Sequence, residues 1–68
     1  METNEKIKVY RKKAKLTQTQ LGEKCGVHFS EISAYERGMR NPTLKTIAMI
    51  ANGLGIHPYE LLPDWIQR

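Results

Sequence analysis

Basic side chains crowd one end of this chain. Residues 1–15 hold Lys6, Lys8, Arg11, Lys12, Lys13 and Lys15 against only Glu2 and Glu5, whereas the remainder carries five residues of each sign. The whole formal charge of +4 therefore resides in that segment. Such a cluster has two readings: a solvated helix face, or an edge that neutralises phosphates. Covalent chemistry finds no footing in the pattern. There is no Gly-rich phosphate loop, no carboxylate pair set for acid–base work, and no Ser/His/Asp set in a supporting context. Cys25 is the single cysteine, which excludes an internal disulfide, fits a reducing compartment, and reads as a small buried hydrophobe. His28 and His57 stand apart with no ligand cluster at metal spacing. No catalytic residue, metal, cofactor or small-molecule ligand is expected.

The elements that must hold these groups are read from apolar spacing and punctuation. Sixty-eight residues make one small domain, spanning 1–68, too short for a large cleft with supporting shells. No apolar run approaches the roughly 18 residues of a membrane span, and METNEKIKVYRKK lacks the apolar stretch of a secretory signal. Strand signals are nearly absent, whereas helix signals are dense. Thr3 is expected to cap a first helix to about Ala14, with Ile7, Tyr10 and Ala14 inward. Arg11 shares that stripe, so it needs a carboxylate partner, because a buried unpaired charge is very costly. Thr17 and Gln20 form a capping box for a second helix over Gln18–Cys25, with Leu21 and Cys25 inward. Gly26 stops it, and Val27 follows as an anchor. A third helix runs from His28 or Phe29 to Arg37 with Ile32 and Tyr35 inward, ended by Gly38. After the loop to Pro42, Thr43 caps a fourth helix whose expected stripe is Leu44, Ile47, Ala48, Ala51 and Leu54. Pro58 opens a short fifth helix to Leu62, and Trp65 and Ile66 give a last apolar contact.

Helices two and three, joined at Gly26, carry the spacing of a helix-turn-helix over about residues 17–37. Gly22, four residues before Gly26, is expected where the two backbones approach most closely. Several further motifs occur in order: L-T-Q at Leu16, G-V at the turn, I-S-A-Y-E-R-G from Ile32, R-N-P-T-L from Arg40, and L-G-I before the last helix. In this full set the chain resembles the lambda-repressor/Cro-like helix-turn-helix family. The resemblance covers residues 16–62, with the first helix fitting upstream.

That resemblance implies an all-α, five-helix domain whose third helix enters the DNA major groove. Carried onto this chain, it places Phe29, Ser30 and Ala34 toward base edges, with Glu31 and Ser33 nearby. It places Gln18, with its neighbour Thr19 at the opening of helix two, and the loop residues Arg40 and Asn41 along the phosphates. His28 and Arg37 join that phosphate set. Arg11 and Glu36 match a buried structural ion pair, which meets the partner requirement noted for Arg11. The base-facing positions hold no Arg, Asn or Gln, so strong bidentate readers are missing there. Phe29 and Ala34 suit a thymine methyl, Ser30 reads weakly, and Glu31 suits a cytosine amino group. Packing of Phe29 on its own domain is the rival reading. His28 and His57 stand where the family carries a Ser or Thr cap, so weaker helix starts are expected there.

The implied protein is a cytoplasmic, nucleoid-associated transcriptional repressor, a homodimer on a palindromic operator in double-stranded DNA, with half-sites about 34 Å apart. Ile56, Pro58, Leu61, Leu62, Trp65 and Ile66, within the C-terminal stretch 56–68, are the candidate dimer contacts. Two alternatives stay open. One is an antitoxin or phage-type accessory factor whose main partner is another protein, and the other is an interaction module that has lost DNA binding.

Overall fold

The computed structural model describes residues 1–67 and consists, among those residues, of four α-helices and one 3₁₀ turn. The helices are α1 (Thr3–Lys13), α2 (Gln18–Cys25), α3 (Phe29–Glu36) and α4 (Leu44–Leu54), and the 3₁₀ turn is Pro58–Leu61. The expected fifth α-helix is thus a single tighter turn. Pro58 opens it, and Leu62 is held extended before Pro63, leaving too few residues for an α-helical ladder. No helix among the described residues is long and apolar enough to cross a membrane.

Local chemistry sets the helix limits. Thr17 Oγ accepts from the Gln20 N–H at 3.0 Å, and Gln20 Oε1 accepts from the Thr17 N–H at 2.8 Å, closing the capping box of α2. Gly26 ends that helix at φ 76°, a left-handed conformation that costs a glycine little. Thr43 caps α4 through the Thr46 N–H. The start of α1 differs from expectation: Glu2 is the cap residue, and Thr3 is the first helical residue, its side chain buried. The Glu5 carboxylate accepts from the Glu2 N–H at 2.9 Å.

Each element sends one large, fully buried side chain to a common centre: Ile7, Leu21, Ile32, Ile50 and Leu61. Cys25, Val27, Tyr35, Ile47 and Ala51 complete the core. The stripe of α4 is rotated from the expected one. Ile47, Ile50, Ala51 and Leu54 turn inward, Ala48 is exposed, and Leu44 is 77% exposed. Ala14 is also exposed rather than inward. Leu61 is 0% exposed, which removes it from the candidate dimer contacts because its side chain is wholly used inside the domain.

Two glycines let helices meet at backbone distance. A Cβ built at Gly22 would lie 2.4 Å from the Val27 carbonyl oxygen, so only hydrogen fits between α2 and the turn that follows it. At Gly53 a Cβ would lie 2.7 Å from Cys25 Cβ, which brings α4 directly against α2.

Lys6 belongs to the scaffold, not to a basic edge. It is 6% exposed, and its ammonium donates to the Leu62 carbonyl at 2.7 Å and pairs with Asp64 Oδ1 at 2.8 Å. The Met1 α-ammonium reaches the same carboxylate. Together they tie the segment after the 3₁₀ turn to α1. The Lys6 hydrogen bond, then the Met1 ammonium, lowers the Asp64 carboxyl from 3.8 to about 2.

Two outcomes are expected. Ala is favoured over Gly inside a helix by about 1 kcal/mol, yet Gly22→Ala will lower the melting temperature, because the clash with an immobile carbonyl costs about 3 kcal/mol. A raised melting point would contradict the close approach. Asp64 binds its proton less readily in the folded state than in the unfolded chain. Its stabilisation is therefore complete above the 3.8 of the unfolded group and is lost as pH falls through about 2. Thermal melts should show Asp64→Asn less stable than the parent at neutral pH, with the gap closing over that acid window.

Candidate nucleic-acid interface

The turn between α2 and α3 is drawn shut by its backbone. The N–H groups of Gly26 and Val27 both donate to the Gly22 carbonyl, at 2.9 and 3.0 Å. Leu21, Cys25, Val27, Ile32 and Tyr35 lie beneath it in the core. The outer side of α3 then presents Phe29 and Ser30 as exposed residues, and Glu31, Ser33 and Ala34 as half-buried ones. Thr19, His28, Arg37, Arg40 and Asn41 are exposed around them, and Gln18 is half-buried.

A charged knot underlies this surface. Arg11 on α1 donates to both Glu36 oxygens, from Nε at 2.6 Å and from Nη2 at 3.0 Å. Its Nη1 donates to the Leu16 carbonyl at 2.7 Å. Gln18 Nε2 donates to Glu36 Oε1 at 3.2 Å. The Glu36 side chain is 3% exposed, so this fork-to-fork pair lies largely out of water. The Glu36 hydrogen bonds hold the Arg11 guanidinium above its ordinary range, against the opposing effect of burial. One carboxylate therefore joins α1, the opening of α2 and the last turn of α3. The first N–H groups of α2, at Gln18 and Thr19, precede that helix's own ladder and carry its partial positive charge.

The start of α3 departs from expectation. His28 does cap the helix: its Nδ1 accepts from the Ser30 N–H at 3.1 Å and lies 2.8 Å from Ser30 Oγ. His57 caps the 3₁₀ turn in the same way, through the Tyr59 N–H at 3.0 Å. A neutral imidazole offers one in-plane lone pair at Nδ1, and two residues upstream it reaches the same orphan donor that an Asn or Ser would take. The His28 ring also rests on Phe29, with centroids 4.7 Å apart and planes tilted by 31°.

Two more contacts reshape the surface. Arg40 Nη1 lies 3.5 Å from Glu31 Oε1, so a candidate phosphate contact and a candidate base contact face each other across the surface. Arg40 is exposed and Glu31 half-buried, and a pair so open to water contributes little to stability. Asn4 Nδ2 donates to the carbonyls of Tyr35 and Arg40, at 2.8 and 2.9 Å, and so fixes the end of α3 and its following loop against α1. Sequence reasoning passed over Asn4, because its partners lie more than 30 residues away. The remaining candidate dimer contacts, Ile56, Pro58 and Leu62, are half-buried, while Trp65 and Ile66 face solvent.

Glu36→Ala removes the carboxylate that pairs with Arg11 and strands a desolvated guanidinium. The expected loss is about 3–5 kcal/mol, read as a melting temperature lower by roughly 12 °C or more. A parental melting curve would show that the pair carries no structural weight.

Residues 7–61 match the family model described as helix-turn-helix. The chain is 43% identical over 56 residues to the immunity repressor protein of Bacillus phage phi105, an alignment covering 82% of this chain. It spans only 39% of that curated relative's length. Among solved structures, the restriction-modification controller protein C.AhdI from Aeromonas hydrophila is similar at a TM-score of 0.85 and 32% identity, over 88% of this chain and 87% of that one. The P22 c2 repressor, solved in complex with a synthetic operator, is similar at 0.82 and 32%, over 91% and 94% of the two chains. The turn locked at Gly22, the buried Arg11–Glu36 fork and these likenesses agree: the chain belongs to the helix-turn-helix family, in its lambda-repressor/Cro-like form.

Proposed function

We propose that this chain is a sequence-specific, double-stranded DNA-binding transcriptional regulator of the repressor kind, acting as a single unit over residues 1–68. The observation that carries the reading is α3. Its outer side is free of core contacts, and its base is clamped to α1 and α2 by Arg11, Glu36 and Gln18. A short rod held this rigidly can enter the major groove with Phe29, Ser30, Glu31, Ser33 and Ala34 toward the bases. Gln18, Thr19, His28, Arg37, Arg40 and Asn41 flank it as phosphate contacts. Similarity to a repressor solved on an operator supports the assignment.

One such helix covers only a few base pairs, so two copies on a palindromic operator gain affinity by tethering. Solvent-facing Trp65 and Ile66, with the half-buried Ile56, Pro58 and Leu62 in the same segment, are the surface we assign to that homodimer. A protein of this kind works in the cytoplasm, on nucleoid DNA. Leu44 adds a large apolar side chain on the outside of the domain, which favours, as a second reading, an accessory factor that grips another protein.

Selection from random duplexes, with masses measured for free and bound protein, tests the proposal. An enriched two-fold-symmetric site bound by two chains is the expected result. Failure to enrich any duplex at low salt would leave the accessory reading. In salt titrations on the selected site, Arg40→Ala should flatten the slope of log K against log salt by about one unit. An unchanged slope would take Arg40 off the phosphates.

A further inference from the structure

Arg40 is held from two sides. Its carbonyl accepts from Asn4 Nδ2 at 2.9 Å, and the same amide donates to the Tyr35 carbonyl at 2.8 Å. The Met39 N–H donates to the Ala34 carbonyl at 2.9 Å, and Gly38 between them takes φ 73°. The chain therefore doubles back on α3 as it leaves it. That return brings the Arg40 guanidinium to 3.5 Å from the carboxylate of Glu31, in the first turn of the same helix. Arg37, the other arginine of the proposed phosphate set, has no acidic partner among the described residues. A pair as open to water as Glu31 and Arg40 does little for the fold. Its consequence falls on any anion that must share Arg40.

Resting on the DNA-binding reading above, we infer that Glu31 is an internal competitor for the phosphate that Arg40 would contact, and that it raises selectivity by weakening sequence-blind binding. Contacts to phosphate supply nearly all of the affinity for an arbitrary duplex. Before Arg40 can make one, it must leave Glu31, and the freed carboxylate then stands among like charges. Both effects subtract from binding to any sequence. Only a site that offers the freed carboxylate a hydrogen-bond donor recovers the loss. The loop anchored by Asn4 keeps the two side chains within reach of each other, so the competition is present before DNA arrives.

The test uses the full chain, the site enriched from random duplexes and a scrambled duplex of the same length and composition. Glu31→Gln keeps the shape of the side chain and removes its charge, and it should melt close to the parent. At low salt it should bind the scrambled duplex about two- to fivefold more tightly than the parent does, and its preference for the enriched site should fall. The same substitution is then made beside Arg40→Gln and, as a control, beside Arg37→Gln. The gain on the scrambled duplex should vanish with Arg40→Gln and persist with Arg37→Gln. No gain in Glu31→Gln overturns the inference, as does an undiminished preference for the enriched site. An equal gain in all three backgrounds also overturns it, because general repulsion between Glu31 and the DNA would then account for the effect. If the parent binds neither duplex at low salt, the DNA-binding reading itself fails.

Discussion

Everything on the outer face of this domain rests on one desolvated ion pair. Arg11 and Glu36 meet in a planar fork, and the same carboxylate takes a third donor from Gln18. Out of water, a guanidinium and a carboxylate tolerate few alternative arrangements, because any misalignment strands a charge. The pair thus fixes the mutual placement of three helices more narrowly than apolar packing would. Leu and Ile side chains accept small slides at little cost, whereas a bidentate fork does not. Gln18 is the point where this internal constraint touches the proposed DNA surface.

Close backbone contact supplies the second constraint. Gly22 lets α2 sit against the Val27 carbonyl, and Gly53 lets α4 sit against Cys25. Those contacts draw the helices in and leave a 68-residue chain with enough buried surface for a core of five large side chains. The histidine caps belong to the same economy. His28 stops the orphan N–H of Ser30 from needing water and aligns an aromatic ring beside Phe29. One residue thus ends the turn, starts the helix and shapes the surface. Lys6 plays a comparable part at the opposite end, where its ammonium gathers the Leu62 carbonyl and Asp64.

Much of the framework was legible in the chain because it depends on neighbours in sequence. The Thr17 and Gln20 box, the stop at Gly26, the Thr43 cap and the opening Pro58 are all decided within four residues. The need of Arg11 for an anion followed from its stripe. Other features were misread for identifiable reasons. In α4, two overlapping stripes share Ile47, Ala51 and Leu54, and spacing alone does not choose between Leu44 with Ala48 and Ile50. Docking against α2 chooses Ile50. Lys6 was counted with the basic edge because a lysine stem can run inward only where something meets its ammonium, and here that is Asp64, 58 residues on. The cap of α1 moved to Glu2 because Thr3 is drawn into the packed interior.

The sequence by itself determined the helices, their order, the bend at Gly26 and the close approach at Gly22, since each follows from short-range sterics and hydrogen bonding. Only the tertiary structure decided which side chains remain available at the surface. It committed Ser30 to His28, set Glu31 beside Arg40, took Leu61 into the core and turned Leu44 outward. Availability depends on which groups meet across long stretches of chain, and that meeting exists only once the helices are packed.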